Sequence, residues 1–460
     1  MTQNGWQVLT RRQFGRMAVS LGAGVTLPGW SKSFAVQAPD GAPRVLVGGT
    51  NSLRAHAEAR GLLYGVAVDP ALLDVDGLAS GETKDRYTLL VLTQADILVA
   101  ENAMKWASLR PTADKFDFSL ADRLVSFAGQ TGKRVRGHNL CWHEALPPWF
   151  KDVANKDNAR QMLEAHIRTV AGRYRGQIHS WDVVNEAVNP ADDRLDGLRK
   201  SPWLELVGPD YVEFAFKIAA EADPQAKLVY NEFGIELDTP EQIEKRGQVL
   251  LLVRRLKARG IPIHAVGVQS HLPADGPQPG PGLVKFIQEI AKLGLDVYIT
   301  EMDVNTRNVP GGPDEQDAAV SQVYTNYLGQ VLAQPNVPLL LNWGITSAHT
   351  WLNETSAAQN QRKDGSAQRP LPFDDKLKPT SVFLALRAAL DAAQPAQAPA
   401  PVPASAAPRP ASDQPTIPPG PPLVVPTPDV APKPTPQRLY EPFPVQGSPI
   451  PQPSPSGAGY

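Results

Sequence analysis

A (β/α)8 barrel is the fold this sequence predicts, on three observations. Eight short apolar runs of strand character recur between residues 44 and 392, amphipathic helical stretches fall between them, and polar residues gather at the ends of the runs. Eight strand–helix units close into a barrel whose strand tips and following loops share one face. A doubly wound open sheet would use the same alternation, but no glycine-rich phosphate loop follows the first run.

The strand runs, in order, are Leu62 to Val68, Ile97 to Ala100, Arg134 to His138, Ser180 to Val184, Leu228 to Tyr230, Ala265 to Gln269, Val297 to Thr300 and Leu339 to Trp343. Each is short and apolar enough to be buried on both faces, as parallel strands under helices must be. Helical stretches include Ser119 to Gln130, Asn158 to Tyr174, Tyr211 to Ala222, Pro240 to Arg259, Pro281 to Leu293 and Asp314 to Leu332. Their apolar residues return at helical spacing, which gives each one face to bury. The polar residues at the strand ends are Glu101-Asn102, His138, Asn185-Glu186, Gln269-Ser270-His271, Glu301 and Trp343. Their convergence argues for a single site.

Composition narrows the function. At 460 residues the chain can bury one large core or two medium ones, and its net charge of −2 gives no sign of a nucleic-acid or anionic-membrane partner. Eight histidines and a single cysteine, Cys141, argue against a zinc cluster or a disulfide framework. His138 and His143 lie in a loop with no third ligand nearby, so neither a metal nor another cofactor is expected.

The two ends differ from the middle. Thr10-Arg11-Arg12-Gln13-Phe14-Gly15-Arg16 precedes a weakly apolar stretch, Met17 to Trp30, that is short for a membrane span. The arginine pair resembles a twin-arginine export signal, with a cleavage site at Val36-Gln37-Ala38, so residues 1–38 are expected to direct the protein to the periplasm or the exterior. A chance arginine pair in a disordered leader is the plain alternative. From about Asp391 the sequence is Pro, Ala, Gln, Ser and Gly, holding nearly half of the chain's 46 prolines. Residues 393–460 are expected to be a disordered proline-rich tail, a spacer or wall-associated tether, because such composition buries too little apolar surface to offset its ordering entropy.

Two acidic segments carry the chemistry: Trp181-Asp182-Val183-Val184-Asn185-Glu186 and Val297-Tyr298-Ile299-Thr300-Glu301-Met302-Asp303. A carboxylate at the tip of a buried strand is costly unless it is solvated, paired or used. Two of them match what glycosidic bond cleavage requires, a proton donor and a nucleophile or base flanking the anomeric carbon. The alternative is that each merely ends a strand beside a lysine or arginine; the polar residues at the other strand ends favour the catalytic reading.

Five segments carry a resemblance, in this order along the chain: Glu101-Asn102-Ala103-Met104-Lys105-Trp106, Gly137-His138-Asn139-Leu140-Cys141-Trp142-His143, Trp181 to Ala187, Gly267-Val268-Gln269-Ser270-His271-Leu272, and Ile299 to Asp303. Together they resemble the signature blocks of glycoside hydrolase family 10, retaining endo-β-1,4-xylanases on a (β/α)8 barrel. The resemblance spans residues 44–392 and ends with Leu371-Pro372-Phe373-Asp374 and Lys378-Pro379. It implies Glu186 as acid/base and Glu301 as nucleophile, with His271 bonded to Glu301 and oriented by Asp303. Asn185 would bond the sugar 2-hydroxyl. Glu101, Asn102, Lys105, His138 and Gln269 would bind xylose, and Trp142, Trp343 and Trp351 would supply apolar platforms. Xylan and xylo-oligosaccharides are the implied partners, the protein acting as a monomer. In this reading the Glu301 charge raises the pKa of Glu186 and keeps it protonated.

Some positions depart from the family. Trp343-Gly344-Ile345-Thr346-Ser347 lacks the acidic residue common there, and Asn231-Glu232-Phe233 lacks a tyrosine that often faces the leaving-group sugar. These bear on leaving-group affinity and pH profile. A β-1,4-glucanase of similar barrel and a non-catalytic wall-associated sugar-binding barrel are the alternatives to the xylanase.

Overall fold

The computed structural model describes residues 36–37, 43–80, 85–354 and 359–395. Apart from Val36 and Gln37, the leader lies outside these residues, as does the proline-rich tail beyond residue 395. The unit Met1–Leu46 contributes one antiparallel pairing, Val36–Gln37 with Pro43–Arg44.

The second unit, Val47–Tyr460, holds a closed barrel of eight parallel strands. They are β1 (Leu63–Val68), β2 (Ile97–Ala100), β3 (Arg134–His138), β4 (Ser180–Asn185), β5 (Lys227–Glu232), β6 (Ala265–Val268), β7 (Asp296–Asn305) and β8 (Leu339–Asn342). Each pairs in parallel with the next, and β8 returns to β1 through Leu339–Leu63 and Asn342–Val66. The helices that follow them are α1 (Arg86–Gln94), α2 (Ser119–Thr131), α3 (Ala159–Arg173), α4 (Tyr211–Ala222), α5 (Pro240–Ala258), α6 (Pro281–Lys292), α7 (Pro313–Val331) and α8 (Ser381–Ala392).

Local chemistry sets the helix boundaries. The Asp85 carboxylate accepts from Thr88 N and Thr239 Oγ1 from Gln242 N, and prolines open α5, α6 and α7 where no amide donor is needed. Gly132, left-handed at φ 67°, ends α2. Leu283, Phe286, Ile287 and Ile290 of α6 recur at helical spacing and are buried.

The core has two layers. Strand residues facing the helices join the large outer cluster, while Ala67, Ile97, Val99, Val229, Ala265, Tyr298, Leu339 and Leu341 fill the barrel interior. Glycines make room where large groups cross: a Cβ at Gly137 would fall 2.1 Å from the Trp181 ring, and one at Gly267 would fall 2.1 Å from Asn231 Oδ1.

β7 is longer than its apolar run predicts. Thr300 was the expected end, but the strand continues to Asn305 because Asp303–Asn305 pair with a short strand, His271–Pro273, that adds a second ladder above β6. Alternation along β7 then puts Glu301 and Asp303 on one face, with His271 beside both.

Candidate active site

Glu186 caps β4 and Glu301 lies within β7; they are 8 % and 5 % exposed. The backbone at Glu186 is left-handed, φ 59°, a conformation that costs a non-glycine residue about 1 kcal/mol. It is held there by Glu186 N donating to Asn231 O (2.9 Å) and by Arg199 Nε donating to Glu186 O (2.9 Å). The Glu186 carboxyl accepts three hydrogen bonds: Trp142 Nε1 to Oε2, and Asn185 Nδ2 and Gln269 Nε2 to Oε1, each 2.9 Å. All three donors are neutral.

Glu301 sits in different company. Its Oε1 accepts from Asn231 Nδ2 at 2.7 Å, and its Oε2 lies 3.3 Å from His271 Nε2. The other ring nitrogen, His271 Nδ1, lies 2.8 Å from Asp303 Oδ1, and Trp351 Nε1 donates to Asp303 Oδ2 at 2.7 Å. Ser270, left-handed at φ 68°, turns the chain between Gln269 and His271, so neighbours in sequence serve the two carboxyls separately. The buried Glu236 carboxylate fixes that turn by accepting from Ser270 N (3.0 Å), while Ser270 Oγ lies 2.5 Å from Tyr327 Oη.

Asn231, at the tip of β5, joins the two halves. Its Nδ2 donates to both Glu301 Oε1 (2.7 Å) and Asn185 Oδ1 (2.8 Å), and its Oδ1 accepts from Thr300 Oγ1 (2.7 Å). Asn185 in turn donates to Glu186, so two carboxamides connect the carboxyls without a cation between them. From sequence, Asn231 stands out only as the neighbour of Glu232-Phe233. Its position before Glu232, at the end of a strand adjoining β4, was the available signal.

The environments push the two proton affinities apart. Burial raises the Glu186 pKa above the ordinary carboxyl value; the Glu232 charge adds to this, Gln269 and Trp142 oppose it, and Glu301 contributes least. The effect expected of Glu301 therefore has the right sign, but burial and Glu232 outweigh it. Burial also pushes Glu301 upward, but the hydrogen bond from His271, the electrostatic pull of His138 and His271, and Asn231 overcome it and bring Glu301 down to about 2. Burial works against protonation of His271, yet Asp303 and Glu301 together hold its pKa well above the usual histidine value. The arrangement therefore presents a readily ionised carboxylate on β7 and, on β4, a carboxyl that holds its proton more tightly than usual.

The residues expected to bind substrate divide into two groups. Trp142, Asn185 and Gln269 spend hydrogen bonds on Glu186. The remainder line one side, from β2, β3 and the segment after β8. Lys105 Nζ donates to Asn102 Oδ1 (2.8 Å) and lies 5.3 Å from the Trp142 ring and 5.9 Å from the Trp343 ring. His138 Nδ1 is 2.9 Å from Asp182 Oδ2, an aspartate also ion-paired with buried Arg136, and its ring meets Trp343 edge-on at 5.4 Å. The Trp351 ring meets His271 edge-on at 5.4 Å. Burial raises Glu101 to about 7 against the pull of Lys105. Ser347, at the departure after β8, is buried with an unpartnered Oγ. His138 and His143 form no metal-binding group, and no cluster of three or more His, Cys, Asp or Glu suited to a metal occurs among the described residues.

Comparison with known proteins agrees with this geometry. Residues 52–389 match the model for glycosyl hydrolase family 10. The β-1,4-xylanase of Dictyoglomus thermophilum is 34% identical over 306 residues, covering 65% of this chain and 82% of that protein. Endo-1,4-beta-xylanase C of Paenibacillus barcinonensis is 32% identical over 352 residues, covering 70% of this chain but only 30% of the relative, so the chain spans less than a third of that protein's length. Xylanase 10B from Thermotoga petrophila RKU-1, solved in complex with xylobiose, superposes with a TM-score of 0.64 at 30% identity, covering 74% of this chain and 97% of that one. The family match spans most of the barrel, and the chain belongs to glycosyl hydrolase family 10.

Proposed function

We propose that this protein is a retaining endo-β-1,4-xylanase. The observation that carries the reading is the pair of carboxyls at the end of β4 and within β7, joined through Asn185 and Asn231 but held at opposite proton affinities. Glu301, kept ionised by His271, attacks the anomeric carbon as Glu186 gives its proton to the departing glycosidic oxygen. Once Glu301 is esterified, Glu186 takes a proton from water, whose oxygen displaces the sugar from Glu301 and restores both groups. Lys105, Asn102, Glu101, His138, Trp343 and Trp351 bind the glycone. Asp303 holds His271 and keeps it a cation. The xylobiose bound by the Thermotoga petrophila relative supports xylo-oligosaccharides as ligands.

Reducing-sugar release from xylan against carboxymethyl-cellulose tests the substrate class. Release from xylan with little from the cellulose derivative is expected; the reverse would make this a glucanase, and release from neither would leave a sugar-binding barrel.

Export through the twin-arginine route belongs to the same proposal and rests on Arg11-Arg12 and the apolar stretch after them. Replacing both arginines by lysine keeps the charge but removes the pair that the receptor reads. Retention in the cytoplasm is expected, and unchanged secretion would remove this part of the reading. The proline-rich segment 393–460 is proposed as a tether to cell-wall material.

A further inference from the structure

We propose that Arg199 and Phe233 form a binding site for a carboxylate-bearing branch of the substrate chain, a uronic acid, on the leaving-group side of the cleft. The inference rests on the xylanase reading and extends it to the decoration that the enzyme selects.

The site lies across Glu186 from the glycone group. Lys105, His138 and Trp343 come from β2, β3 and the segment after β8, whereas Arg199 and Phe233 belong to the loops after β4 and β5. Arg199 is fixed close to the acid/base. Val188 and Leu198 form an isolated bridge, Arg199 N donates to Ala187 O at 2.7 Å, and Arg199 Nε donates to Glu186 O at 2.9 Å. A proton delivered by Glu186 goes to the leaving group, so a cation anchored here sits beside the first sugars past the cut.

The guanidinium is free to take an anion. Its Nε is used, but Arg199 forms no ion pair among the described residues, and neither terminal nitrogen is a buried atom lacking a partner. These two nitrogens are therefore open to solvent, in the fork geometry that grips a carboxylate with two hydrogen bonds. The nearby acids do not satisfy it. Glu144 feels its charge without reaching ion-pair distance; its own neighbour is His143, at 3.6 Å. Glu232 is bonded to Lys245 (2.9 Å) and to Tyr230 Oη (2.5 Å).

Phe233 supplies the apolar part. It is 39 % exposed, with the Arg199 Cζ 5.8 Å from its ring and Lys245 Nζ 3.6 Å from it. The exposed ring offers apolar surface to the CH groups of a sugar, and Arg199 beside it supplies the positive charge, since Lys245 is neutralised by Glu232. Aromatic face and unpaired guanidinium together fit a sugar carrying a carboxylate better than a neutral one.

The test compares xylan bearing uronic acid branches with the same polymer after reduction of the carboxyls to alcohols, using the wild type, Arg199→Gln and Arg199→Lys. The wild type should favour the acidic polymer in kcat/KM. Arg199→Gln should lose about tenfold more on the acidic polymer than on the reduced one, the effect of removing one charge-assisted contact. Arg199→Lys, which keeps the charge but not the two-pronged contact, should fall between Arg199→Gln and the wild type, and added salt should erode the wild-type preference. Each variant's rate on the reduced polymer is its internal reference, so a general loss of folding or catalysis cancels in the ratio. Equal losses on both polymers, or a wild type indifferent to the carboxyl, would overturn the site while leaving the xylanase reading intact. A wild type that cleaves neither polymer would overturn both.

Discussion

The end of β4 and the middle of β7 present the same feature, a nearly buried glutamate held by several hydrogen bonds, yet the two carboxyls are held at opposite proton affinities. Burial does not separate them, since it pushes both pKa values upward. Charge does. Glu186 accepts from an indole and two carboxamides and has the Glu232 carboxylate in its vicinity, whereas Glu301 faces a histidine that Asp303 keeps protonated. Neutral donors fix the position of a carboxyl while favouring the loss of its proton less than burial opposes it; a cation fixes position and ionisation together. Asn231 and Asn185 then bind the two geometries into one unit without mixing their charges.

The largest effect expected from breaking this comparison follows removal of Glu301. Glu301→Ala should abolish turnover on xylo-oligosaccharides and on activated aryl xylosides alike, and added azide should give an α-xylosyl azide by a single inverting displacement. Near-normal turnover in that variant would remove the nucleophile. Glu186→Gln should instead split the substrates. Hydrolysis of xylo-oligosaccharides, which need a proton on the leaving oxygen, should fall by roughly 10²–10⁴-fold, whereas the glycosylation step with an acidic phenol leaving group should be spared. Equal loss on both would argue against the acid/base role.

Smaller changes sharpen the comparison. Asn231→Ala removes a donor to the Glu301 carboxylate, a contact to a charged group whose loss should cost about tenfold in kcat. Because Asn231 favours the ionised form of Glu301, its loss should also move the acidic limb of the rate profile to higher pH. An unmoved acidic limb would show that Asn231 only spaces the strands. The smallest effect belongs to Glu232→Gln. Glu232 raises the Glu186 pKa, so removing its charge should lower that pKa and bring the alkaline limb to lower pH. A shift to higher pH would contradict the electrostatic assignment.

Much of this was legible in the sequence because strand-length apolar runs and strand-tip acids are local signals. Seven of the eight strands could be read to within two residues at each end; β7 could not, since the pairing of Asp303–Asn305 with His271–Pro273 depends on a distant segment. Helix α1 hid because RYTLLVLTQ is nearly continuous in its apolar residues and shows no clear face, although Tyr87, Leu90 and Val91 are buried. The left-handed backbone at Glu186 and Ser270 has no signal in residue type, since neither is a glycine. Trp142 shows another limit. Sequence supplied the indole as an apolar platform, but its N–H, which donates to Glu186, faces a partner 44 residues away. Asn231 joins β4 to β7 through contacts that exist only after the barrel closes.

The most direct test is the configuration of the first sugar released, followed by proton NMR of xylo-oligosaccharide hydrolysis before mutarotation sets in. An ionised Glu301 attacking the anomeric carbon, followed by water under Glu186, makes two inversions. The account predicts that the β-anomer of the new reducing end appears first and the α-anomer only later, at the rate of spontaneous mutarotation. Initial appearance of the α-anomer would mean a single displacement by water, with Glu301 a base, and would contradict the division of labour between Glu186 and Glu301.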